Sequence, residues 1–203
     1  MNNMFSPDSG AAKAPELIPN GTLSWAIITI QAARQSGTTG GTYYPVTLTL
    51  VENGYEGRKV FDMLPDINDE RNNPKWREMG KGSITRIFES AGVFNPHKLE
   101  TYATFAGKET LALMNAMDGL RVAIKVKVEA SKDPAYADKN KVGEWLSPNP
   151  KSAGSRDYNT LTGGQQAANQ ARGQAFAPQA PAPVLGQGPG WIVKGPAAQN
   201  NPF

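Results

Sequence analysis

From Leu120 to Ala130 an apolar side chain occupies every second position: Leu120, Val122, Ile124, Val126 and Val128 alternate with Arg121, Ala123, Lys125, Lys127 and Glu129. Successive side chains of a β-strand point to opposite faces, so this run folds as a strand with one core face and one largely cationic face. Four other segments read as strands. Thr22 to Ala33 is β-branched and mostly apolar on both sides, with Trp25, Ile27 and Thr29 alternating with Ala26, Ile28 and Ile30. Tyr43 to Val51 sets Tyr44, Val46, Leu48 and Leu50 on a core face against Tyr43, Pro45, Thr47 and Thr49. Asn53-Gly54 supplies a turn into Arg58 to Leu64, which makes a hairpin of strands two and three, and Pro45 assigns an early or edge position within strand two. Lys141 to Leu146 closes the set.

Between strands three and four the period lengthens. Trp76, Met79, Ile84, Ile87, Phe88 and Ala91 fall three or four apart, with Pro74 suited to a first helical turn and Gly92 to an end. Gly80 and Gly82 leave open whether this is one helix or two short ones. Residues 107 to 118 form a second helix by propensity, closed by Asp118-Gly119. The glycine-rich Gln35 to Thr42 joins strands one and two, and it lacks the Gly-Lys-Ser/Thr ending of a phosphate-binding loop.

Composition divides the chain. Residues 1–15 read as a flexible arm, residues 16–158 as one folded domain, and residues 159–203 as a disordered tail. The tail holds nine Ala, seven Gly, seven Gln and six Pro, too few large apolar groups to offset the entropy of ordering. Its apolar spots, Trp191-Ile192-Val193 and Pro202-Phe203, read as docking points. The net charge is +3, but the tail contains Arg172 and Lys194 and no acid, which leaves 19 basic against 18 acidic residues before it. A nearly neutral domain that holds a polyanion must gather its cations on one face.

There is no cysteine and one histidine, His97, which excludes disulfides, thiolate chemistry and a His-based metal cluster. Asp66, Asp69 and Glu70 lack calcium-loop spacing and read as a solvated loop. No nucleophile or metal constellation points to an enzyme, and no cofactor is implied. With no secretory signal and no membrane-length apolar run, the expectation is a soluble cytoplasmic protein.

Three strands, a helix, then two strands is the order of the five-stranded OB barrel, whose helix connects strands three and four. The expected fold is therefore a mainly β OB-fold barrel with a disordered C-terminal tail. Such barrels bind single strands across strands two and three and through the loops joining strands one to two and four to five, here Gln35 to Thr42 and Ser131 to Asn140. Holding an unpaired strand without regard to sequence takes cations for phosphates and flat aromatic faces for bases. The candidates are Arg34, Tyr43, Tyr55, Arg58, Lys59, Lys125 and Lys127, with Lys132, Tyr136, Lys139 and Lys141 around the last loop. Trp25, Phe61 and Phe88 are assigned to the core, Trp76 to the barrel base, and Trp145 to either core or ligand face.

These segments resemble the bacteriophage single-stranded DNA-binding proteins of OB fold. The resemblance runs over residues 16–150: Leu17-Ile18-Pro19-Asn20-Gly21 before strand one, Tyr55-Glu56-Gly57-Arg58-Lys59-Val60-Phe61 entering strand three, Gly119-Leu120-Arg121-Val122, and Asn140-Lys141-Val142. The tail is similar to that of bacterial single-strand-binding proteins, which end in Pro-Phe and dock there on replication and repair proteins. Pro202 and Phe203 match that tip, whereas Gln199-Asn200-Asn201 replaces its acids and removes the charge that steers docking. The resemblance implies a non-catalytic protein that coats single-stranded DNA in phage replication or recombination, in the cytoplasm of an infected bacterial host. RNA binding and homo-oligomerisation stay open. The alternative is a non-catalytic phage structural or protein-interaction module.

Overall fold

The computed structural model describes residues 16–133 and 135–163. The N-terminal arm and most of the expected tail, including Trp191, Pro202 and Phe203, lie outside them. In chain order the elements are β1 (Leu23–Ile30), β2 (Arg34–Gln35), β3 (Thr42–Leu50), β4 (Lys59–Pro65), α1 (Pro74–Ser90), a 3₁₀ segment (Leu99–Phe105), α2 (Thr110–Met117), β5 (Arg121–Glu129) and β6 (Lys139–Trp145). A further helix, α3, occupies 155–163.

Five of the strands close into a barrel in the order β1-β5-β6-β4-β3, and β3 pairs back to β1. Closure works because β1 serves two neighbours: Leu23 to Ile27 pair with β5, and Ala26 to Ile30 pair with β3. The last seam is thin, a parallel contact of β4 with β6 at Phe61 opposite Lys141. This is the topology of an OB-like barrel, with short β2 extending β3 at Arg34 opposite Tyr43.

The core follows the alternation in the sequence. Ala26 and Ile28, Tyr44, Val46, Leu48 and Leu50, Val60 and Leu64, and Val122, Ile124 and Val126 are all buried inside the barrel. Ile84, Ile87 and Phe88 of α1 and Leu113, Met114 and Met117 of α2 close one end of the barrel. Each fully buried aliphatic or aromatic side chain of this kind contributes about 1.5–3 kcal/mol of hydrophobic free energy before entropy is counted. Phe94, Tyr102 and Phe105 extend this layer, with Phe88 and Phe105 stacked at 4.8 Å and Phe94 and Tyr102 at 4.7 Å.

Local chemistry explains the connections. Asn53 and Gly54 both adopt positive φ, 67° and 77°, a conformation that Asn and Gly adopt at least cost, but the hairpin connection is longer than that turn and spans residues 51–58. Pro45 lies just beyond the last β1–β3 pair, Ile30 with Val46, where no β1 residue needs its missing N–H, and its carbonyl accepts from the Gln31 amide at 3.0 Å. The α1 segment is one helix and not two. Asn73 caps it by accepting from the Lys75 amide at 2.8 Å. Gly80, a helix weakener in isolation, is required by packing: a Cβ there would lie 2.4 Å from Pro65 Cγ of β4. The acidic run is a brace. Asp69 Oδ2 accepts from the Thr42 amide at 2.8 Å and pairs with Arg71 at 2.7 Å, so hydrogen bonding from Arg71 holds its carboxyl far below the ordinary value.

The domain boundary moves. Tyr158 was expected to end the folded part, but it lies within α3, and Leu161 beyond it is buried. Trp25, Ala123, Leu146 and Leu161 form a second small core outside the barrel wall, packed by Leu23 and Tyr158. The two large side chains of the spacing Tyr158-Leu161 fall on one face of a single helical turn, a signal too short to stand out from a polar tail.

Candidate functional site

The outward parity of β3 and β4, joined to β6 at one contact, forms a strip that is open around Phe61 and Met63 and covered at Thr47 and Pro65. Its register is Tyr43 opposite Pro65, Pro45 opposite Met63, Thr47 opposite Phe61 and Thr49 opposite Lys59. Phe61 lies also beside Lys141 of β6. From Tyr43 to Thr49 the strip is about 20 Å long at the usual rise per residue.

Phe61 is the main correction to the sequence reading. Assigned there to the core, it is 57 % exposed in the middle of the strip, with Met63 beside it at 48 %. Parity gives the reason: Val60 and Leu64 are fully inside, so Phe61 and Met63 must point out. The signal was present in the alternation Lys59-Val60-Phe61, and the residue's size outweighed it. An exposed phenyl ring loses hydrophobic free energy by standing in water unless something covers it.

The two loops expected to flank this face do so from opposite ends. Arg34 and Tyr43 stand at the Pro65 end, where Arg34 is exposed and its guanidinium reaches Gln31 Oε1 at 3.4 Å. Because β4 and β6 run parallel from Phe61 and Lys141, Lys139 and the 131–138 loop lie toward the Lys59 end. That loop and the strand ends it joins enclose a basin of about 640 Å³ lined by Lys132, Tyr136, Lys139 and Lys141. Tyr136 is 71 % exposed over it. Glu129 bridges two of the cations, with Lys141 Nζ at 2.8 Å and Lys139 Nζ at 3.5 Å. Hydrogen bonding from Lys141 holds the Glu129 carboxyl below its usual value, so Glu129 is ionised at neutral pH.

Two of the candidate tyrosine and arginine positions support the turn. Tyr55 packs partly against the core and the Arg58 guanidinium lies 5.9 Å from its ring centroid, a contact that fixes the turn between β3 and β4. Lys59 is exposed at that end of the strip.

Lys125 and Lys127 separate, although the sequence placed them together. A register shift between Lys125 and Val126 interrupts the β5–β6 ladder and turns the strand. Lys127 pairs with Lys141 and stays exposed on the open side. Lys125 faces α3, where its Nζ lies 2.8 Å from Asp157 Oδ2 and its charge is already matched. The structure therefore does not bring Lys125 to the strip.

Asp62 lies on the inward parity of β4, close enough to Lys127 and Lys141 to feel both charges. Burial pushes its carboxyl above the ordinary value, and the two lysines pull it back. Trp145 is core, at 5 % exposure. Trp76, on the helix that closes one end of the barrel, lines a groove between α1 and the β4–β6 seam. Among the described residues no group of three or more His, Asp or Glu side chains is placed to hold a metal ion, and no helix is long and apolar enough to cross a membrane.

Compared with models of known protein families and with curated proteins, the chain matches none of them.

Proposed function

We propose that this chain binds single-stranded DNA without strong sequence preference, along the outer strip of β3, β4 and β6 and into the basin under the 131–138 loop. The observation that carries the reading is Phe61, 57 % exposed and aligned between Lys59 on its own strand and Lys141 across the seam. A flat ring offers any base a stacking partner, and Lys59 on its own strand and the exposed Lys127 next to Lys141 meet the phosphates that precede and follow it. Tyr136 and Tyr43 extend the same pattern toward the two ends. The backbone of a duplex keeps its bases stacked inside, so a platform of this kind favours unpaired strands.

The resemblance of residues 16–150 to phage single-stranded DNA-binding proteins supports a role in coating DNA during replication or recombination. The reading is tested by titrating labelled oligo-dT and a matched duplex. Preference for the single strand is expected, with a log-log salt slope of about −0.7 for each phosphate contacted. Equal affinity for both forms, or no binding at low salt, overturns it.

A further inference from the structure

The strip does not stop at Phe61. Between α1 and the β4–β6 seam lies a groove of about 440 Å³. Its size falls in the range of pockets that hold small organic groups. Lys141, the register partner of Phe61, lines both this groove and the loop basin, so the two depressions neighbour each other across one side chain.

Its lining has the composition of the strip. Met79 is 62 % exposed and Met63 48 %, with Trp76 half-buried next to them. Exposed thioethers are adaptable apolar surface, able to follow faces of different shape. Arg86 and Lys127 stand on its wall with Asp62 and Glu144, and Lys141, held by Glu129, borders it. Neither Arg86 nor Lys127 makes an ion pair among the described residues. Two glycines keep the groove open and firm. Gly80 lets α1 press on Pro65, and a Cβ at Gly143 would lie 3.1 Å from Lys127 Cβ and crowd that side chain.

We propose that this groove is a second subsite for the same single strand, seating an unpaired nucleobase on Met63, Trp76 and Met79 while Arg86 and Lys127 meet the adjoining phosphates. The inference rests on the single-strand reading and adds the path the strand takes beyond Phe61. A short oligonucleotide seated on Phe61 and the basin spans too little to enter the groove as well, and a longer one reaches it.

The test compares oligo-dT of about four and about eight nucleotides, lengths within the span one barrel of this type covers. Met79→Glu places a negative charge where the strand would pass, and Arg86→Gln removes one phosphate partner. Leu111→Glu, at a 56 % exposed position on α2, is the control for an added surface charge. The thermal midpoints of all three establish that the fold is intact. The expected result is a loss of about ten-fold or more for the longer oligonucleotide in Met79→Glu, with little change for the shorter. For Arg86→Gln the salt slope should fall by about 0.7 with the longer strand only. Unchanged binding of the longer strand in both variants, or equal losses at both lengths, removes the groove as a second subsite while the strip stands. Failure of the wild-type protein to bind either length overturns the single-strand reading itself.

Discussion

The barrel has two outer faces of nearly the same chemistry, and only one is open. On the β1–β5 side Trp25, Arg121 and Lys125 are an aromatic ring and two cations, as on the other side Phe61, Lys59 and, next to Lys141, Lys127 are. The first set is engaged within the chain, although Arg121 keeps half of its side chain in solvent and pairs with Glu52 at 3.3 Å. Tyr158 meets the Trp25 ring edge-on at 5.8 Å, Arg121 lies 4.6 Å from the same ring, and Asp157 takes Lys125. Trp25 is left 7 % exposed and Phe61 57 %. Aromatic and cationic residues on an outer face thus do not identify a binding surface. What identifies it is that the rest of the chain leaves them uncovered.

The sharpest test of this contrast is to truncate the two aromatics in parallel. Trp25→Ala should destabilise the domain by about 3–5 kcal/mol, as removal of a large buried ring does, and leave the affinity of the remaining folded protein near wild type. Phe61→Ala should do the reverse. Its thermal midpoint should hardly move, and its affinity for oligo-dT should fall by about 1–3 kcal/mol, the amount a stacked base is worth. Denaturant unfolding and fluorescence anisotropy read the two quantities separately. If Phe61→Ala binds as well as wild type, the strip is not the strand's path.

The two lysines of β5 give a smaller version of the same contrast. Lys127→Ala should lower the salt slope of binding by about 0.7, one phosphate contact on a single strand. Lys125→Ala should leave the slope unchanged, because that charge is held by Asp157 on the closed face. Equal slopes for both variants would erase the distinction between the faces.

The smallest effect concerns Asp62. Its folded pKa lies above its unfolded value, so the native state holds the proton more tightly and stability falls as pH rises through that interval. The cost is complete at neutral pH. Asp62→Asn should therefore raise the thermal midpoint at pH 7, with the gain shrinking as pH falls toward about 4 and vanishing below it. It should also strengthen oligo-dT binding several-fold by removing a negative charge beside Lys127 and Lys141. A midpoint difference that is the same at both pH values would show that ionisation of Asp62 is not its source.

Much of the barrel was legible from the chain alone. Five strands, their order around the helical connection and the inward parity of Tyr44 to Leu50 and of Val122 to Val126 follow from alternation, which is a local property of extended backbone. The helix from Pro74 was legible from its period, but its continuity through Gly80 was not, because that glycine answers to Pro65 on another element. The basin residues Lys132, Tyr136, Lys139 and Lys141 were legible as a group since they lie within ten positions, on the last loop and the start of β6. Glu129, which bridges two of them, was not.

What the sequence determined is the kind of fold and the chemistry it excludes: a closed β architecture with no thiol and a single imidazole. It also determined which side chains point outward. Which outward side chains meet solvent was decided by the tertiary structure. Helix α3 covers Trp25 with residues more than a hundred positions away, and the β4–β6 seam puts Phe61 beside Lys141 across eighty. Contacts at such separations are set by how the whole sheet closes, and no local pattern of residues encodes them.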